Sequence, residues 1–168
     1  MVLAVRDVEA GPRGFAPDMR PLILYEGHVF SRLTGHRYDA GHPNLSWPSW
    51  DRTRYLRDQG SRWRQWNAAA SVDRQAAIGA TSFGLFQVMG FNARDCGWPD
   101  EESFFRDMHR DEAEHLRAFV GYVVANGLAD DLRRHDWAGF ALGYNGPRAA
   151  ENRYAEKLAR AYARHGGA

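Results

Sequence analysis

The chain has 168 residues, 44% of them hydrophobic and 13% aromatic, which is ample for one packed core and argues against disorder. Its 22 basic and 21 acidic side chains leave a formal charge of +1, without the excess that would make nucleic acid or a membrane surface the first expected partner. One cysteine, Cys96, excludes an internal disulfide framework and reads as a small buried hydrophobe rather than a nucleophile.

Met1 to Val5 is apolar, but Arg6, Asp7 and Glu9 interrupt it before a signal-peptide core can form. No run approaches the ~18 apolar residues of a membrane span. The expectation is a protein made in the cytoplasm without a signal peptide, which needs another agent to reach any substrate outside. Leu22, Val29, Phe30 and Leu33 recur at helical spacing and predict a helix from Leu22 to Thr34. Gly35 to Trp50 holds Pro and Gly breakers and reads as a loop or short hairpin. Tyr55, Leu56, Trp63 and Trp66 suit one or two helices between Asp51 and Ala70, with Gly60 as a break. Ala76 to Met89 reads as mostly helical around a glycine-containing turn.

Punctuation is clearer in the second half. A helix starting near Asp100, after Pro99, carries Phe104, Phe105 and Met108. Asp111 and Glu114 have capping-box spacing ahead of Leu116, Phe119, Val120 and Val123, and Asn126-Gly127 is a stop. Asp136 caps a helix through Trp137, Phe140 and Leu142 that Gly146-Pro147 ends, and Tyr154, Leu158 and Tyr162 stripe the closing helix. Strand alternation is nearly absent, and neither repeat nor linker is visible. The expected fold class is therefore mainly α, in a single domain with at most a short β-hairpin after the helix that carries Glu26.

Glu26 is the most informative residue. It lies four after Leu22 and three and four before Val29 and Phe30, on the predicted apolar face, where an ionised carboxylate loses hydration. Burial raises a carboxyl pKa, and a carboxyl that keeps its proton can act as the general acid a glycosidase needs. A structural glutamate paired with an arginine is the plainer alternative. Two further segments bear on the choice. Ser82-Phe-Gly-Leu-Phe-Gln-Val88 sets a hydroxyl and an amide beside a glycine, and Ala141-Leu-Gly-Tyr-Asn-Gly146 sets an aromatic and an amide at a helix end. Amides both donate and accept, and aromatic faces suit the apolar faces of sugar rings. Each piece alone has an ordinary structural meaning: a turn, a filled core, a satisfied backbone.

Taken in order, Glu26, Gly84-Leu-x-Gln87 and Tyr144-Asn145 resemble the lysozyme superfamily in its goose-type and lytic-transglycosylase pattern. More closely, the chain resembles the N-acetylmuramidase family found in phage endolysins. The residues that carry the likeness are Leu24 to Phe30, Leu33-Thr-Gly35, His42-Pro43, Ser82 to Asn92, Cys96-Gly97 and Tyr144 to Pro147, within a span from about Pro21 to Tyr162. The resemblance implies a lysozyme-like fold and cleavage of the β-1,4 bond between N-acetylmuramic acid and N-acetylglucosamine in peptidoglycan. It implies Glu26 as catalytic acid, and places Gln87, Tyr144 and Asn145, with Ser82 beside them, along the glycan cleft. It requires no cofactor or metal. Endolysins of the family often carry a wall-binding module, and none is expected within this chain. Holin-type release or an injection system would deliver such an enzyme, expected as a monomer, to the periplasm and wall.

Asp39 is the candidate for a second carboxylate, because one short loop separates it from Glu26, with Asp51 and Asp73 as alternatives. Its plainer meaning is an Asx turn ahead of Gly41. Hydrolysis and the anhydro-forming transglycosylase route therefore both stay open. Among readings of other classes, His36, Asp39 and His42 mimic a zinc-peptidase cluster, but no His-Glu-x-x-His accompanies them, and His109 and His115 do not share a helical face. Arg52, Arg54, Arg57, Arg62 and Arg64 interleave with Tyr55, Trp63 and Trp66, a composition for nucleic acid or an anionic membrane that Asp51 and Asp58 dilute. In the enzyme reading the same segment borders the glycan cleft or touches an anionic bacterial surface weakly, and no nucleic-acid partner is expected. A lysozyme-like protein that binds glycan without cutting it is the remaining alternative.

Overall fold

The computed structural model describes residues 1–146, 150 and 152–167. Helix α1 (Val2–Glu9) buries Ala4 and Val5 and packs along the closing helix α9 (Tyr154–Arg164), so both ends of the chain belong to one body. Strand β1 (Ile23–Tyr25) follows a loop pinned by the Phe15–Pro21 bridge. It pairs antiparallel with β2 (Thr81–Phe83), Leu24 opposite Ser82, and β2 pairs with β3 (Val88–Met89), giving a three-stranded sheet in the order β1-β2-β3. The free edge of β1 is covered by side chains. Gln59 accepts from the Ile23 amide at 3.0 Å and donates to its carbonyl at 3.2 Å, and Arg62 donates to that carbonyl at 3.0 Å.

This sheet corrects two expectations. The residues before Glu26 are a strand, because Ile23 to Tyr25 gain a ladder from β2 that is remote in sequence, and a three-residue strand is too short to show alternation. The helix α2 (Gly27–Leu33) begins only after Glu26, and Leu33 lies 44% exposed rather than inward. The hairpin is the β2–β3 pair, joined by a tight 3-10 turn at Gly84–Phe86, and residues 35–50 are turns without a strand.

Acidic caps set the helix starts. Asp58 accepts from Ser61 N at 2.8 Å and opens α3 (Gln59–Val72), which runs through Gly60 without a break and buries Trp63, Trp66 and Ala69. Tyr55 and Leu56 precede it, outside any helix, and Leu56 is exposed. Asp73 caps α4 (Arg74–Gly79) through Ala76 N at 3.0 Å. Asp100 caps α5 (Glu101–Met108) through Ser103 N at 2.7 Å, and Asp111 caps α6 (Glu112–Ala125) through Ala113 N and Glu114 N at 2.9 and 3.1 Å. Glu114 turns to Arg110 and Arg117. A further helix that the spacing does not announce, α7 (Ala129–Arg134), precedes α8 (Trp137–Asn145), which Asp136 caps through Gly139 N at 2.9 Å. Gly146 stands at the end of α8 with φ of 73°, and Pro147, expected as part of that stop, lies outside the described residues.

The core gathers Phe30, Phe83, Phe104, Phe119 and Phe140, with Trp66 stacked on Phe105 at 4.8 Å. Leu116, Val120 and Leu142, expected inward, are exposed, because α6 and α8 turn His115, Ala118, Phe119, Phe140 and Ala141 toward the core instead. Cys96 is buried, and burial pushes its thiol up to about 12, which suits a packing role. Among the described residues no helix is long and apolar enough to cross a membrane.

Candidate active site

The chain delivers Glu26 to the sheet edge through its backbone. Its amide donates to Ala80 O at 2.8 Å, its carbonyl accepts the first bonds of α2, and it occupies the N-cap position without using its side chain as a cap. Gly27 is required immediately after it: a Cβ there would lie 2.1 Å from the Trp47 ring, so the indole packs directly on the backbone that turns Glu26 outward. The carboxyl is thus free of local duties, 18% exposed, and held above its usual pKa by burial. Tyr55 donates a short hydrogen bond to Glu26 Oε2, which opposes that rise, and His28 Nδ1 lies 3.3 Å from the same oxygen.

Two hollows meet at Leu24 and Glu26. The first, a chamber of about 370 Å³, is lined by Ser82, Gln87, Tyr122, Tyr144, Asn145 and Glu9 among others. Here the structure brings together the predicted binding residues, and each is tied to its neighbours. Ser82 Oγ donates to Gln87 Oε1 at 2.9 Å, and Gln87 Nε2 donates to Gly84 O at 2.8 Å. Gln87 itself sits at φ of 50°, a left-handed turn that its three-way amide bonding sustains. Gly84 has φ of 70°, and a Cβ on it would strike the His115 ring at 2.4 Å. His115 is buried with Nδ1 accepting from Leu85 N and Nε2 facing Met108 O at 2.8 Å, a neutral imidazole whose pKa burial lowers. Tyr144 donates to Phe86 O at 2.7 Å, its hydroxyl raised well above the ordinary range by burial, while its ring packs against Tyr122 and Phe140.

The second hollow, an arm of about 690 Å³, is lined by Trp50, Arg52, Tyr55, Leu56, Arg57 and Arg62 together with Leu24, Glu26 and Asn152. Part of the arginine-aromatic segment therefore borders the same groove, whereas Arg54 pairs with Asp51 at 3.3 Å and covers Trp47.

Asp39 lies elsewhere. It lines neither hollow, and its carboxylate accepts from Ser46 and Ser31, with His36 Nδ1 at 3.2 Å, a set that holds it below the usual range, Ser46 first. It clamps the loop after α2. Asp51 and Asp73 serve as caps. His36 and Asp39 meet each other while His42 faces Tyr38 at 6.0 Å, and the described residues contain no group of His, Cys, Asp or Glu fit to hold a metal ion.

Two contributors escape the sequence argument. Glu9 enters the chamber from α1, where Tyr154 donates a short bond to it and Asn145 Nδ2 donates at 3.3 Å, and burial raises its carboxyl. The signal was available: Glu9 lies four after the buried Val5, the same placement that singled out Glu26. Tyr55, expected as a core helix position, is the direct partner of Glu26, and no local pattern announces a contact 29 positions away.

A family model described as N-acetylmuramidase matches residues 1–166. The chain belongs to the N-acetylmuramidase family. The match takes in α1 and α9, beyond the expected span of Pro21 to Tyr162, in keeping with Glu9 and Tyr154 meeting at the chamber wall. Among solved structures, this muramidase-family chain is similar to the crystal structure of the Burkholderia AP3 phage endolysin, at 39% identity and a TM-score of 0.85. The likeness covers 97% of this chain and 62% of that one, so the chain spans less than two thirds of the endolysin's length. No curated protein matches it. The fold class expected from the sequence, mainly α and lysozyme-like, is that of the endolysin.

Proposed function

We propose that the chain is a peptidoglycan hydrolase that cleaves the β-1,4 bond between N-acetylmuramic acid and N-acetylglucosamine, with Glu26 as general acid. Family membership and the endolysin neighbour support peptidoglycan degradation, the bond is what the family likeness implies, and the role of Glu26 is inferred from its place in the site. The observation that carries the proposal is one carboxyl, held toward its protonated form by burial, at the junction of two hollows; in this reading a strand lies across both, with the scissile bond at Glu26. Glu26 gives its proton to the departing glycosidic oxygen, the C1–O bond breaks, and positive charge develops on the sugar ring. The carboxylate left behind, stabilised by the Tyr55 hydroxyl, then takes a proton from the incoming nucleophile. Ser82, Gln87, Tyr144 and Asn145 shape the chamber that seats the glycan. The enzyme acts in the periplasm or cell wall after holin-type release from the cytoplasm or delivery by a secretion system.

A transglycosylase outcome on the same bond has a specific observation in its favour. Asp39 is committed to Ser31 and Ser46, and the one other carboxyl lining either hollow among the described residues, Glu9, is held by Tyr154 and Asn145. A nucleophile supplied by the sugar itself, its C6 hydroxyl, needs no second carboxylate. Mass spectrometry of digested sacculi after borohydride reduction separates the outcomes. Reduced muramic ends are expected for hydrolysis and anhydromuramic ends for the transglycosylase. Reduced glucosamine ends or free peptides alone would overturn the proposal.

A further inference from the structure

The arm carries a charge that a neutral sugar backbone does not require. Arg52, Arg57 and Arg62 line it beside Trp50 and Tyr55, and none of the three forms an ion pair with a described carboxylate. Of the two nearby acids, Asp51 is committed to Thr53 and Arg54, and Asp58 accepts from the amide of Ser61 at the start of α3 while its charge favours that of Arg62. Arg62 is fixed by donating to Leu56 O at 2.8 Å and Ile23 O at 3.0 Å, and its half-burial penalises its charge. Arg52 and Arg57 are exposed. Guanidinium forks match carboxylates in two-point hydrogen bonds, and in peptidoglycan the carboxylates are carried by the stem peptides that hang from muramic acid.

We propose that the arm is a subsite for the acidic stem peptide, Arg52 and Arg57 seating its carboxylates next to the bond that Glu26 cleaves. This inference rests on the muramidase reading.

The test compares steady-state kinetics on two preparations of one glycan: strands bearing uncrosslinked stem peptides, and the same strands stripped of peptide by an amidase, with the lactyl carboxylates this exposes capped as neutral amides. The parent is expected to favour the peptide-bearing strands by about tenfold or more in kcat/KM, the worth of one or two charge-assisted hydrogen bonds. In R52Q/R57Q, whose exposed positions leave the fold alone, that ratio falls toward one, and salt near ~0.5 M narrows it in the parent. R57E is expected to invert it. An unchanged ratio in R52Q/R57Q, or no preference in the parent, while muramic ends still appear, overturns the subsite and leaves the muramidase reading standing. Absence of muramic ends from both preparations overturns the reading, and the subsite with it. Inhibition of the parent but not of R52Q/R57Q by a phosphate-rich wall polymer, with no peptide preference, assigns the arm to that polymer instead.

Discussion

In the chamber on one side of Glu26, Ser82 is bonded to Gln87, Tyr144 to the Phe86 carbonyl and Asn145 to Glu9, whereas in the arm Arg52 and Arg57 stand exposed without a described carboxylate partner. Among the described residues no arginine or lysine lines the chamber, which is half-buried and prearranged. Its polar atoms have already lost water and found partners, so it offers a shape whose energy salt scarcely alters. The arm is charged and wet, and its attraction is screened within a Debye length. A groove built this way separates the seating of a sugar, which needs geometry, from the capture of an anion, which needs charge. Glu26 belongs to both halves, taking its burial from one and its hydroxyl partner, Tyr55, from the other.

The harshest way to break the comparison is at the junction. Glu26→Gln is expected to cost about 10³-fold in kcat, in the range of a lost general acid, in peptide-bearing and stripped strands alike. Its stability should move the other way. In the folded chain the carboxyl holds its proton above the ordinary value of 4.5, so its contribution to stability is complete below that value and lost as pH rises through it toward the folded pKa. Glu26→Gln should therefore melt higher than the parent at pH 7, with the gain fading at about pH 4. Melting curves at the two pH values check this, and equal melting at both would show that Glu26 is not held protonated.

Gln87→Ala removes the bonds to Ser82, Gly84 and Leu22 and leaves a non-glycine residue at positive φ without its support. A loss of about 1–3 kcal/mol in denaturant unfolding is expected, with turnover down by about tenfold at every salt concentration. Salt-dependent loss would mean that the chamber does not work by shape. Tyr55→Phe tests the arm side of Glu26. The lost hydroxyl had favoured the ionised carboxyl, so the pKa rises further and the alkaline limb of the kcat/KM profile moves to higher pH. A limb that stays in place would detach Tyr55 from the acid. Tyr144→Phe should be the mildest, about 0.5–1.5 kcal/mol from the Phe86 carbonyl left without its donor, with KM changed more than kcat.

What was legible in the sequence is what short range decides. Asp58, Asp73, Asp100, Asp111 and Asp136 cap helices because a carboxylate two or three residues ahead of bare amides needs nothing remote to find them. Of these, Asp100, Asp111 and Asp136 are readable as starts from their spacing to the apolar stripes. The residues from Leu22 to Met89 misled, because Ile23, Leu24 and Tyr25 suit a helix or a strand equally until Thr81 to Phe83 comes alongside. At the site, Ser82, Gln87, Tyr144 and Asn145 lie together around one chamber with Glu26, whereas Asp39, chosen for nearness along the chain, is drawn to Ser31 and Ser46.

By itself the sequence determined the mainly helical class, from residue type and spacing within a few turns of chain, and the family likeness, from motifs in a fixed order along it; it singled out Glu26 by a helical face that does not form. Only the tertiary structure decided that Glu26 ends a strand instead of riding a helix, that Tyr55 reaches it, that Glu9 closes the chamber from the first helix, and that Arg52, Arg57 and Arg62 open onto the same groove. Those contacts join residues tens of positions apart. Their energy is realised only when a common core brings the segments together, and no local pattern encodes it.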